Sequence, residues 1–119
     1  MRYLILSDLH GNIHALEAVL ADAGAIGYDA VLVLGDLVGY GADPSAVMAR
    51  TLALEPVAIV RGNHDKVCAG IEPASLFNDV ARRSIEWTAN VLSTEELQTL
   101  AELPKGPFQL TSELEICHG

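Results

Sequence analysis

Four short clusters hold the side chains of this sequence best suited to chemistry: Asp8-Leu9-His10, Gly35-Asp36, Gly62-Asn63-His64-Asp65 and His118-Gly119. They supply carboxylate, imidazole and amide donors, and three of the four histidines fall inside them. Each cluster sits just past the end of an apolar run. Taken singly, an acid or a histidine in such a place reads equally well as a turn residue. The same donor types repeated at successive exits point instead to one assembled metal site. Carboxylate, imidazole and amide oxygen together suit Mn, Fe or Zn better than the all-oxygen shells of Ca or Mg. Cys68 and Cys117 are far apart with no CxxC spacing, which argues against a structural zinc site or a disulfide framework and fits a reducing cytoplasm.

The elements that must position these donors alternate between strand and helix. Residues 3–6, 30–34 and 57–60 are short apolar runs without polar alternation, as expected of buried parallel strands. Between them, Asn12 is placed to cap a helix over 13–23 that stops at Gly24, and Asp43-Pro44 is placed to open a helix running to about 54. The order β-α-β-α-β, with right-handed crossovers, predicts neighbouring parallel strands flanked by helices, an α/β fold. Beyond it, residues 74–89 read as a helix with Leu76, Val80, Ile85 and Trp87 as its apolar side chains. Ser93-Thr94-Glu95-Glu96 reads as a capping box, and 108–110 and 114–117 read as a hairpin.

In an open α/β sheet, ligands gather at the carboxyl ends of the strands. Asp8 and His10 follow the first strand, Asp36 the second, Asn63 and His64 the third, and His118 the last apolar run. Parallel neighbours lie about 4.8 Å apart, so adjacent exits can share an ion. Asp36, on the middle strand, is placed to bridge two ions, an arrangement that polarises a phosphoryl group and supplies hydroxide for in-line attack. No GxGxxG or GxxxxGK[ST] pattern is present, which weakens dinucleotide and P-loop readings.

Composition sets outer bounds. The chain has 119 residues, half of them hydrophobic, and a mean hydropathy of +0.30. Either strands are buried on both faces, or an apolar sheet face is left exposed and invites self-association into a homo-oligomer. No apolar stretch reaches membrane-spanning length, and no signal peptide is read at the start. The net charge of −9 argues against binding a nucleic-acid backbone and is compatible with gathering divalent cations.

With Asp8-x-His10, Gly35-Asp36-x-x-Gly39-Tyr40, Gly62-Asn63-His64-Asp65 and His118-Gly119 in that order, the chain resembles the calcineurin-like metallophosphoesterases, in particular small bacterial members. The resemblance implies the N-terminal half of a four-layer α/β/β/α sandwich and hydrolysis of a small-molecule phosphodiester or phosphomonoester by two-metal hydroxide attack. It implies two divalent ions, manganese first among them, with Fe or Zn as alternatives. Asp8 and His10 would bind one ion, Asp36 would bridge, and Asn63 and His118 would bind the other. His64 would be the catalytic residue beside the leaving-group oxygen rather than a ligand.

Departures from the family pattern matter too. Gly39 and Tyr40 stand where the protein Ser/Thr phosphatase branch has an Asp that orients the catalytic histidine and an Arg, and Asp65 replaces the usual Glu, which argues against that branch. The family's final Gly-His-x-His segment has no counterpart within residues 1–119, so these read as one metallophosphoesterase domain cut before that segment. Each ion would then have three protein ligands, and weak or single-ion occupancy is expected. A non-catalytic scaffold or binding fragment of the same fold is the alternative. Three further residues carry structural expectations: Asp43 as a cap, Trp87 as a packing residue, and Asp65 as either an orienting group or a loop terminator.

Overall fold

The computed structural model describes residues 1–119. Its elements run β1 (Tyr3–Leu6), α1 (Ile13–Ile26), β2 (Ala30–Val33), α2 (Pro44–Leu52), β3 (Ala58–Ile59), α3 (Asn63–Cys68), a 3-10 turn (Ala74–Leu76), α4 (Asp79–Val91), α5 (Thr94–Glu102), β4 (Phe108–Gln109) and β5 (Glu115–Ile116). The first three strands form a parallel sheet in the order β1-β2-β3, with Leu4 opposite Val31 and Leu32 opposite Ala58. β4 and β5 pair antiparallel, as the hairpin reading requires.

Side-chain alternation divides the sheet into two faces. Leu6, Val31 and Val33 pack with Leu16, Leu20, Val47 and Met48 from α1 and α2, and with Ile85, Leu92, Leu100 and Leu103 from the later helices and the residues that follow them. Leu32 instead meets Ala58, Val60 and Ile116, so the hairpin covers β2 and β3 on the second face. β1 is less protected: Ile5 is 56% exposed, and the sheet is therefore not buried on both faces throughout.

Local signals set most element ends. Asn12 accepts from the Ala15 N–H and opens α1. Gly24 does not end it; the helix continues to Ile26 and stops at Gly27, whose φ of 84° suits a residue without Cβ. One helical glycine costs only about 1 kcal/mol, and burial of Leu16 and Leu20 keeps the helix docked. Ser93 and Glu96 form the expected capping box of α5. Asp43 precedes α2 but makes no side-chain capping bond, so Pro44 carries that start.

The segment read as one helix over 74–89 is two elements, a 3-10 turn and α4, separated by Phe77 and the capping Asn78. Its buried stripe is Ala81, Ile85 and Thr88. Leu76, Val80 and Trp87 are 90%, 72% and 46% exposed, so only Ile85 of the expected apolar set faces the core and Trp87 is not a buried packing residue.

Candidate metal centre

Every predicted donor arrives at one edge of the parallel sheet. The chain turns sharply as it leaves β1 and β2, and Asp8, His10 and Asp36 take φ values of 56°, 45° and 55°. This left-handed region is uncommon for residues with a side chain, and Asp, Asn and His enter it more readily than most. Strain of about 1–3 kcal/mol per residue persists there only where the surroundings enforce it.

At Asp36 the enforcing group is Asp65, which is fully buried, while the Asp8 and His10 N–H groups donate to the Gly35 and Asp36 carbonyls. Its Oδ2 accepts from the Asp36 N–H at 2.8 Å and the Gly62 N–H at 2.9 Å, while Oδ1 accepts from Leu37 N–H at 2.9 Å and Val38 N–H at 3.4 Å. One carboxylate thus ties the loop after β2 to the start of α3. Burial pushes the Asp65 carboxyl above the usual range, with the backbone donors of Gly62, Val38 and Asp36 pulling the other way. Of its two sequence-based readings, the orienting one holds. Gly62 completes the junction: a Cβ there would collide with Asp36 Oδ1.

Asp36 occupies the middle. Its Oδ1 accepts from the His64 N–H at 3.0 Å, and its Oδ2 lies 3.6 Å from His10 Nε2 and 3.5 Å from His118 Nε2. Burial raises its carboxyl above the ordinary value, opposed by the His64 backbone N–H and by the two imidazoles. Asp8 is largely exposed, accepts from Ser7 Oγ, and places Oδ1 3.7 Å from His10 Nε2.

Both flanking histidines are anchored from behind. His10 Nδ1 is 3.0 Å from the Val38 carbonyl, and His118 Nδ1 is 2.7 Å from the Leu34 carbonyl. A neutral imidazole donating through Nδ1 presents the Nε2 lone pair to the site, the usual preparation of a metal ligand. His118 Nε2 then stands 2.9 Å from Asn63 Oδ1. Two acceptors turned toward one another are mutually repulsive unless a cation or a proton joins them. The donor set therefore fits divalent metal, with Asp8, His10, Asp36, Asn63 and His118 converging on the same space.

Distance alone adds His64. One donor atom each of His10, Asp36 and His64 lie within 4.8 Å of one another, as do those of Asp8, Asp36 and His118. His64 is buried, and desolvation together with the neighbouring His10 lowers its pKa below the ordinary histidine value. Sequence reasoning missed two residues at this ring: Tyr40 and Phe77, whose centroids lie 4.8 Å and 4.7 Å from that of His64. Arg61 is turned away from the donors, giving its guanidinium to the Ala101 carbonyl. His14 is exposed on α1, and no helix is long and apolar enough to cross a membrane.

Comparison with known proteins identifies the family. A family model described as calcineurin-like phosphoesterase matches residues 1–119. An uncharacterized protein of Methanocaldococcus jannaschii is 39% identical over 100 residues, covering 84% of this chain and 41% of the relative. The crystal structure of a metallophosphoesterase from Sphaerobacter thermophilus superposes with a TM-score of 0.71 at 47% identity, over 87% of this chain and 41% of that one. A candidate diadenosine tetraphosphatase superposes with a TM-score of 0.66 at 28% identity, over 87% of this chain and 43% of that one. The chain thus spans about two-fifths of the length of the proteins it matches.

Proposed function

The chain belongs to the calcineurin-like phosphoesterase family, and from that premise we propose that it builds the metal-binding half of a hydrolase acting on a small-molecule phosphomonoester or phosphodiester. The observation that carries this reading is Asp36 Oδ2, set between the Nε2 atoms of two histidines that are each anchored through Nδ1 to a backbone carbonyl. Divalent ions held by such a set supply Lewis-acid polarisation of a phosphoryl oxygen and lower the pKa of water toward neutrality. Manganese is the first ion to test.

The protein's own residues divide the remaining work. Asp8 and His10 form one side of the centre, Asn63 and His118 the other, and Asp36 joins them. Asp65 contributes no ligand; it holds the Asp36 and Gly62 backbones so that the two sides keep their spacing. His64, facing the same space through Nε2, is the hydrogen-bond donor to the leaving-group or phosphoryl oxygen as negative charge develops there. The acidic charge of the chain, −9 overall, favours accumulation of cations over binding of a nucleic-acid backbone.

The test is calorimetric titration of the metal-stripped protein with Mn²⁺, followed by hydrolysis of aryl phosphomonoesters and phosphodiesters. Metal-dependent turnover that disappears in Asp36→Asn is expected. Full phosphodiesterase activity in Asp36→Asn would overturn the assignment. Metal binding with no turnover of any phosphoester would favour a non-catalytic binding module instead.

A further inference from the structure

Among the side chains at the centre, His64 is held unlike the others. His10 and His118 each engage a backbone carbonyl through Nδ1, but His64 Nδ1 is buried without a hydrogen-bond partner. Gly39 closes over it: a Cβ at that position would lie 2.5 Å from Nδ1, so the glycine backbone itself seals the atom. Nε2 is not sealed in this way and is the nitrogen left to meet a substrate. No hydrogen bond therefore fixes the rotation of this ring.

Ring packing does so instead. Tyr40 lies 4.8 Å from His64 at 49° between planes, Phe77 lies 4.7 Å away at 39°, and His10 lies 4.8 Å away edge-on at 75°. Tyr40 is itself fixed, with φ of 65° and its N–H donated to Ser84 Oγ on α4. Phe77 stands one residue before the α4 cap Asn78, where an apolar side chain commonly packs on the fourth helical residue. Here that residue is Arg82, committed to Asp79 and Glu86, and Phe77 turns to His64.

We infer that Tyr40 and Phe77 are positioning residues that clamp the His64 ring, replacing a hydrogen-bonding partner at Nδ1 and keeping the ring proton on Nε2. The inference rests on the proposed role of His64 for its catalytic consequence, but not for the clamp itself. A proton on Nδ1 would be an orphaned buried donor, the rarer kind of unpaired group in folded proteins. The tautomer with Nε2–H leaves only a bare lone pair against Gly39. A hydrogen-bond donor whose orientation depends on two aromatic faces is sensitive to their shape rather than to their polarity.

Long-range ¹H–¹⁵N correlation of the histidine rings in the metal-free protein tests the clamp without reference to activity. Wild type is expected to show His64 as the Nε2–H tautomer with ring protons displaced by neighbouring ring currents. Phe77→Leu should reduce that displacement and introduce the second tautomer, Phe77→Tyr should restore the wild-type pattern, and exposed His14 serves as the unmoved reference. Tyr40→Leu, at a half-exposed side chain, gives the same readout if Phe77→Leu does not fold. An Nδ1–H tautomer in wild type, or His64 signals indifferent to both leucine variants, would overturn the inference.

In the Mn²⁺-loaded protein, Phe77→Leu should lower kcat about tenfold for an alkyl phosphoester, whose strongly basic leaving-group oxygen gains most from the Nε2–H hydrogen bond, with KM little changed. For a p-nitrophenyl ester, whose leaving-group oxygen is weakly basic, the loss should stay below about threefold. Equal losses on both substrates refute a positioning role. If wild type hydrolyses neither ester, the phosphoesterase reading fails, and the tautomer measurement still decides the clamp.

Discussion

Replacing Asp65 by asparagine should damage this protein out of proportion to the size of the change. The substitution is nearly isosteric and removes no predicted ligand. It exchanges one acceptor oxygen for an NH2 group in a fully buried position whose four neighbours are all backbone N–H donors. The less damaging orientation keeps the oxygen on Asp36 and Gly62, the pair at 2.8 and 2.9 Å, and gives up Leu37 at 2.9 Å and Val38 at 3.4 Å. Losing one good bond to a charged acceptor and one long bond, and turning donors on donors, costs about 2–4 kcal/mol. Neutrality recovers part of this, because burial penalises the Asp65 carboxylate. A net loss of about 2–3 kcal/mol remains, against a total stability of about 5–15 kcal/mol for a typical domain.

Urea unfolding of the metal-free protein measures this directly, as a lower midpoint at unchanged slope. Asp65→Ala orphans all four donors and should cost about 4 kcal/mol or more. Mn²⁺ affinity should fall alongside stability in Asp65→Ala, where the bonds to Asp36 and Gly62 that set the separation of the loops are lost as well. Stability of Asp65→Asn within about 0.5 kcal/mol of wild type, the range of an ordinary surface substitution, would refute the role assigned to this carboxylate.

Three other perturbations test separate parts of the structure. Asp36→Asn should raise the Tm of the metal-free protein at pH 7 while abolishing Mn²⁺ binding. Burial raises the Asp36 pKa above 3.8, so its contribution to stability is fully present below that value and is lost as pH rises through the folded pKa. The advantage of the amide should therefore close as pH is lowered toward 4, and a variant less stable than wild type at pH 7 would contradict the sign. Gly62→Ala forces a methyl group onto Asp36 Oδ1 and should weaken Mn²⁺ binding about 10–100-fold, as loss of support behind a ligand does; unchanged affinity in calorimetry would show the junction to be pliable. Ser93→Ala removes the bond to the Glu96 N–H and should cost about 1 kcal/mol in urea unfolding. The Glu96 carboxylate is held below its ordinary 4.5 chiefly by the Ser93 N–H, so its capping contribution is present above that value and lost as pH falls through the lowered one.

What the sequence disclosed and what it withheld follow from the range of the interactions involved. The three parallel strands, the Asn12 cap, the Ser93–Glu96 box and the terminal hairpin depend on residues a few positions apart, and each stands where local pattern put it. The buried face of α4 did not, because Val80 and Trp87 outweigh Ala81 and Thr88 in hydropathy. Yet α3 packs directly on α4, and close approach of two helices selects the smaller side chains. Helix α3 itself was hidden inside a motif that reads as a loop.

The site divides along the same line. Donor types and their order at strand exits were legible, since both are properties of the chain. Their convergence is a property of the fold, and it turns on the residue with the weakest claim in the sequence. Asp65 follows the site residues Asn63 and His64 as one more acid, with no pattern to separate an orienting role from a loop end. In the structure it binds the backbones of Asp36 and Gly62 with one oxygen, so the Asp36 carboxylate and the start of α3 cannot move apart independently. The left-handed backbones of Asp8, His10 and Asp36 belong to this tightly turned edge. Donor identity is therefore written locally, whereas donor spacing depends on a buried acid outside the predicted ligand set.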